Sequence, residues 1–150
     1  MSLLLALALA QASVVTSAPP SDRAVPATEW SCAFEGADSA RFRLSGRLEP
    51  IPAGWDPNQS RPTQMEGEGS AALAGKASYT NQENGQDFRD YQIQVARGAE
   101  TYFVNLKLRR GGAGVAYVTR YVSGKREPYS YIAAGLCTSQ FDAAPQKAAQ

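Results

Sequence analysis

The stretch 41–49, RFRLSGRLE, alternates apolar and polar residues along its length. Phe42, Leu44 and Leu48 fall on one side of an extended chain, and Arg43 and Arg47 fall on the other. A strand with one apolar and one charged face covers a core on one side only, which is typical of antiparallel sheets. The stretch therefore predicts a half-buried antiparallel strand.

Strand patterns recur after this stretch. Residues 64–73, 88–97, 101–109, 115–122 and 129–141 alternate in polarity or are rich in β-branched and aromatic side chains. Turn residues separate several of them, and no helical period extends beyond two turns. The chain is thus predicted to be all-β, a single antiparallel β-barrel or β-sandwich of about 7–8 strands.

A hairpin and a strand register follow from finer patterns. Asn84-Gly85 is a strong hairpin signal, so the polar residues 81–87 are interpreted as a turn before the strand at 88–97. The strands 41–49 and 64–73 are consecutive, and their charged faces must share the solvent side if they pair. We expect Arg47 nearest Glu66 and Arg43 nearest Glu68 or Ser70.

The two cysteines, Cys32 and Cys137, lie near opposite ends of the predicted strands. In an exported chain, two cysteines most simply form one disulfide. The Cα atoms of a disulfide lie within about 7 Å of each other. The terminal strands are therefore predicted to be neighbours, joined by the Cys32–Cys137 bond.

The N-terminus predicts export. The continuous apolar run from Leu3 to Ala10 precedes Ala10-Gln11-Ala12, a small-x-small cleavage pattern. The run is far shorter than the roughly 20 residues that span a bilayer. We interpret 1–12 as a signal peptide, 13–29 as a flexible Pro/Ala-rich linker, 30–141 as the exported β-domain and 142–150 as a disordered tail. The predicted location is periplasmic or secreted, with no transmembrane segment in the mature chain.

Composition excludes several kinds of chemistry. The 150-residue chain contains no histidine, so Ser-His-Asp and Cys-His systems and histidine-bearing zinc sites are ruled out. Two cysteines cannot form a Cys₄ zinc site, and phosphate-binding and nucleophile-elbow motifs are missing. The net charge of +1 gives no indication of a nucleic-acid partner. A non-enzymatic domain without cofactor or metal is expected.

Positive charge is concentrated in residues 97–126. This segment contains one acid, Glu100, and seven basic residues: Arg97, Lys107, Arg109, Arg110, Arg120, Lys125 and Arg126. If 101–109 and 115–122 pair, these charges are expected near one sheet face and its turns. We interpret them as a candidate site for an anionic partner: an envelope polymer, a lipid headgroup or an acidic protein. An ordinary solvated face is the alternative.

Tyrosines and loops supply the remaining hypotheses. All seven tyrosines lie between 79 and 131. Aromatic residues on strands are usually core residues with the hydroxyl at the rim, and a ligand-lining barrel mouth is the alternative. The alternative function is inhibition of a secreted or periplasmic enzyme through an exposed loop, 50–63 or 111–114.

Overall fold

A computed structural model describes residues 24–56, 58–69, 73–85, 87–111 and 113–141, and this part of the chain contains eight β-strands and no helix. The strands are β1 (Thr28–Gly36), β2 (Arg41–Leu48), β3 (Arg61–Glu68), β4 (Gly75–Asn84), β5 (Phe88–Arg97), β6 (Glu100–Arg109), β7 (Gly114–Val122) and β8 (Tyr129–Phe141). Each strand pairs antiparallel with the next, and β8 pairs with β1, which closes the sheet. The all-β prediction is confirmed, and the barrel is the architecture formed.

The disulfide joins the first and last strands, as predicted. Cys32 and Cys137 lie directly opposite each other in the β1–β8 ladder, with their Cα atoms 4.0 Å apart. The covalent bond therefore crosses the seam where the sheet closes on itself. Among the described residues, no helix is long and apolar enough to cross a membrane.

Alternate residues of every strand fill the barrel. The buried cluster includes Trp30, Leu44, Met65, Tyr79, Tyr91, Ile93, Val104, Leu106, Leu108 and Val118. The rings of Tyr79 and Tyr91 meet edge to face with centroids 5.9 Å apart. An eight-stranded barrel is just wide enough for its interior to be filled by side chains. The inward face predicted for β2 is confirmed by this cluster, which also contains Leu48.

The segment before β1 closes the end of the barrel at which β1 begins. Val25 and Ile51 exchange two backbone hydrogen bonds of 2.8 Å, and both side chains are buried. The Arg89 guanidinium, also buried, donates to the Pro26 carbonyl oxygen at 3.1 Å. Residues 24–29, which the sequence interpretation placed in the linker, therefore belong to the fold.

The sequence pattern did not predict β4 as a strand. β4 includes Asn81 and Asn84, which the sequence interpretation placed in a polar turn; the turn itself follows Asn84. Asn81 is buried and its side-chain amide bonds with that of Asn84 inside the same strand. A register shift between Asn81 and Glu83 accompanies this pairing. Internal satisfaction of two polar side chains explains how such a polar segment is accommodated in a sheet.

The β2–β3 register agrees with the prediction at one pair and differs at the other. Arg43 lies opposite Glu68, as expected. Glu66 lies opposite Ser45, so Arg47 and Glu66 are diagonal neighbours and not the direct pair that was predicted. The reason is spacing: Arg43 and Arg47 are four residues apart, whereas Glu66 and Glu68 are two apart, so both pairs cannot be directly opposite.

Three predicted segments fall on residues outside those described. These are the signal peptide at 1–12, most of the linker, and the tail at 142–150.

Candidate binding surface

The seven basic residues of segment 97–126 lie at two opposite ends of the barrel. Arg97, Arg120, Lys125 and Arg126 are at the end where β5 and β7 finish, and Lys107, Arg109 and Arg110 are at the other. Arg120 is opposite Tyr102, seven residues along β6 from Arg109, which corresponds to about 23 Å. The structure therefore does not bring the seven residues together as one patch.

Neighbouring acids neutralise part of this charge. Lys107 Nζ lies 3.4 Å from one carboxylate oxygen of Asp90, and Arg109 Nη1 lies 3.2 Å from the other. At the opposite end, Arg120 Nη1 lies 3.9 Å from Glu100 Oε1. Three of the seven predicted residues thus face acids on adjacent strands. The anionic-partner interpretation stays a prediction.

The two predicted inhibitory loops lie close to the barrel. In the 50–63 loop, Ile51 and Trp55 are buried, and Asp56 Oδ1 accepts a 2.9 Å hydrogen bond from the Asn58 amide. In the 111–114 loop, Gly114 already belongs to β7 and packs against Leu108. The large apolar side chains of the 50–63 loop are therefore used to cover the core.

The large hydrophobic residues that the structure describes as exposed lie on two neighbouring strands. These residues, exposed by 38% to 68%, are Val115, Tyr117, Tyr129, Tyr131 and Leu136. Val115 is opposite Leu136 in the β7–β8 ladder. Ala116, which lies between Val115 and Tyr117 on β7, points into the core. We call this set of five residues the outer apolar face. It lies on the outside of the barrel, so its side chains do not contribute to filling the interior.

A groove of about 950 Å³ extends from the outer apolar face across β1 to β2 and β3. Leu136, Ala33 and Phe42 contribute to its apolar lining. A Cβ placed on Gly135 would lie 2.5 Å from the Ala33 carbonyl oxygen. The missing side chain therefore lets β8 lie closely against β1 in the floor of the groove. Below, Phe34 and Phe42 stack with ring centroids 4.9 Å apart.

Charges of both signs line the far side of this groove. Glu35 is opposite Arg41 in the β1–β2 ladder, and Arg43 is opposite Glu68 in the β2–β3 ladder. All four residues are exposed. Within the part of the chain that the structure describes, none of the four forms an ion pair. The groove thus combines an apolar wall with a charged wall that has no net charge.

A second groove, of about 970 Å³, lies on the outside of β8, β1, β2 and β3 near their opposite ends. Its lining is mostly polar, and its arginine, Arg47, already pairs with Glu29 at 3.2 Å and Glu49 at 3.3 Å. Trp30 and Ser139 line this groove, and their Nε1 and Oγ atoms are buried with no hydrogen-bond partner among the described residues. Because both atoms are inaccessible, they cannot contact a ligand in this conformation.

Sequence reasoning placed the tyrosines in the core, and only some of them are there. Tyr79 and Tyr91 are buried, and burial raises the pKa of both hydroxyls. Tyr117 points outward by regular alternation between the buried Ala116 and Val118. Tyr129 and Tyr131 point outward because a register shift near Val118 changes the alternation of β8. The sequence did contain one signal for the outer apolar face. If Cys137 points inward to form the disulfide, strand alternation places its neighbour Leu136 outside.

The described residues contain no group of three or more His, Cys, Asp or Glu side chains that could hold a metal ion. What the arrangement offers chemically is a contact surface, with an apolar centre and a charged edge. Comparisons with protein-family models, with curated proteins and with solved structures gave no match.

Proposed function

We propose that this protein is a non-enzymatic binding domain that works outside the reducing cytoplasm and contacts its partner through the outer apolar face. The observation that carries the proposal is the confinement of the exposed large hydrophobic residues to β7 and β8. Contiguous apolar patches on soluble proteins mark interaction sites, particularly where polar residues form a rim. The disulfide supports the compartment, because disulfides persist in oxidising environments.

The rim favours a protein partner. Interfaces between proteins have an apolar centre rich in tyrosine and a polar edge. Here Tyr117 and Leu136 supply the centre, and Arg41, Arg43 and Glu35 belong to the edge. An anionic polymer or a lipid headgroup presents charge of one sign and would meet the glutamates unfavourably. A protein surface can offer a complementary charge to each group.

Site-specific photocrosslinking tests the proposal. A benzophenone amino acid replaces Tyr117 in one variant and Gln94 in a control variant, and both are exported by the native host. Gln94 points outward because its neighbours Ile93 and Val95 are buried. It lies on β5, two strands from β7 and three from β8, and lines neither groove. We expect a discrete covalent adduct from position 117 and none from position 94. Equal adduct yields, or no adduct from position 117, would overturn the proposal.

A further inference from the structure

We infer that the partner of the outer apolar face is a second copy of this chain, held in a two-fold symmetric dimer. This inference rests on the proposed function, and it specifies the occupant of the same surface.

The surface carries a protrusion and a recess side by side on one strand. Tyr129 and Tyr131, 66% and 56% exposed, project from the start of β8, and the Tyr129 ring packs on Tyr121 with centroids 5.0 Å apart. The groove lies farther along the same strand, at Ala134 and Leu136. Tyr131 and Leu136 are opposite Thr119 and Val115, which are four residues apart on β7, or about 13 Å.

A two-fold axis uses such a pair of features twice. In a two-fold interface, residue i of one copy contacts residue j of the other, and j contacts i. An axis that crosses β8 between Tyr131 and Leu136 places Tyr131 of each copy against Leu136 in the groove of its partner. The two contacts are identical, and the assembly closes at two copies.

The charges are compatible with this arrangement. The exposed turn between β7 and β8 contains Lys125, Arg126 and Glu127, next to the projecting tyrosines. An axis between Tyr131 and Leu136 brings this turn to the far end of β8 in the other copy, where Gln140 is opposite the exposed Glu29 of β1. The two cations of one turn therefore approach the Glu29 carboxylate of the other copy. Opposite charges at an interface edge favour the correct register.

The exposed apolar area sets the expected affinity of the dimer. Given the areas of aromatic and aliphatic side chains, the five residues of the outer apolar face expose roughly 500 Å² per copy. Two copies would bury about 1,000 Å², which is the lower limit for a specific interface. We therefore expect reversible dimers with a micromolar dissociation constant rather than a permanent assembly.

Sedimentation velocity of the purified, disulfide-bonded chain tests the inference over a range of concentrations, from about 1 to 200 µM, that brackets the expected micromolar dissociation constant. The wild type should shift from monomer to dimer. Tyr131→Glu and, separately, Leu136→Glu should weaken dimerisation at least tenfold, because each places a charge in the apolar contact. The control Gln94→Glu adds the same charge on β5, outside the outer apolar face and its groove, and should leave the dimer unchanged. Circular dichroism confirms that each variant is folded.

A wild type that stays monomeric at every concentration would overturn the inference. Assembly beyond the dimer, or equal weakening by Gln94→Glu, would overturn it too. The photocrosslinking result separates the two proposals. A monomeric protein that still gives a selective adduct with another chain at position 117 refutes the dimer and supports the proposed function. A monomeric protein with no selective adduct refutes both.

Discussion

Tyr91 shows how burial inside the barrel changes the chemistry of one side chain. It is 2% exposed, and its hydroxyl shares a 3.1 Å hydrogen bond with Thr28 Oγ1. Burial raises the pKa of Tyr91, although the Thr28 hydrogen bond and the nearby Arg89 lower it. Burial likewise raises the pKa of Tyr79. Both hydroxyls therefore stay protonated in the folded chain at a pH where they ionise in the unfolded chain.

Alkaline pH is expected to destabilise the protein through these tyrosines. Their stabilising contribution is complete below about pH 10, the usual tyrosine pKa, and is lost as pH rises through the higher folded-state pKa. In that window the free energy of unfolding should fall by up to about 1.4 kcal/mol per pH unit for each tyrosine. Tyr91→Phe should make the slope shallower, while costing about 1 kcal/mol at neutral pH for the lost hydrogen bond. Urea unfolding at several pH values measures the slope and the loss at neutral pH. An unchanged slope in Tyr91→Phe would show that Tyr91 does not cause the alkaline destabilisation.

Gly135 is the residue whose missing side chain shapes the groove. Gly135→Ala should destabilise the fold by about 1–3 kcal/mol, because the new methyl group meets the Ala33 backbone at 2.5 Å. Gly36→Ala is the matched control, since its methyl group would meet the movable Asp38 carboxylate at 2.7 Å. Thermal unfolding should show a larger loss for position 135. Equal losses would mean that β8 can move away from β1.

At the scale of elements, the β1–β2 hairpin shows how register selects charge partners. Arg47 lies opposite Glu29 in this ladder, and its guanidinium lies 3.2 Å from the Glu29 carboxylate. In the β2–β3 ladder Glu66 is opposite Ser45, so it is not the direct cross-strand partner of Arg47. Both groups of the Arg47–Glu29 pair are about half exposed, which keeps the contribution of the pair small.

Double-mutant cycles distinguish the two possible partners of Arg47. The coupling free energy between Arg47→Ala and Glu29→Ala should be about 0.2–1 kcal/mol, as for exposed cross-strand pairs. The coupling between Arg47→Ala and Glu66→Ala should be near zero. Chemical unfolding of the single and double variants gives both values. A larger coupling with Glu66 would show that the β2–β3 register differs from the one described.

The elements also show what a sequence can and cannot predict. β2, β5 and β6 were predictable because each alternates apolar and polar residues, and one side must be buried. β4 was not, because Asn81 and Asn84 satisfy each other through side-chain hydrogen bonds that leave no trace in the pattern. The outward positions of Tyr129 and Tyr131 were not predictable for a different reason: a register shift between β7 and β8 changes which residues at the start of β8 point outward. The charge count over residues 97–126 likewise left out Asp90, because it lies outside that segment in sequence. In the fold Asp90 is on β5, next to Lys107 and Arg109 of β6.

For the whole molecule, the Cys32–Cys137 bond fixes the seam between the first and last strands. It closes a loop across 105 residues of sequence. Its reduction should therefore increase the conformational entropy of the unfolded chain and lower the free energy of unfolding. The chain-entropy model gives an upper value of about 4–5 kcal/mol for a loop of this size. Urea unfolding with and without reductant measures the loss. A reduced protein with the unchanged midpoint would show that strand pairing alone holds the seam.

The central claim is that the interior of the barrel is filled and that binding takes place on the outer apolar face. Hydroxyl-radical footprinting of individual tyrosines, read by mass spectrometry, tests it most directly. In dilute purified protein, Tyr129 and Tyr131 should be modified readily, while Tyr79 and Tyr91 should be protected by burial. In the native host, Tyr131 should become protected as well, because the proposed partner would cover it. Rapid modification of Tyr79 and Tyr91 in dilute protein, or an equally reactive Tyr131 in both settings, would contradict the account.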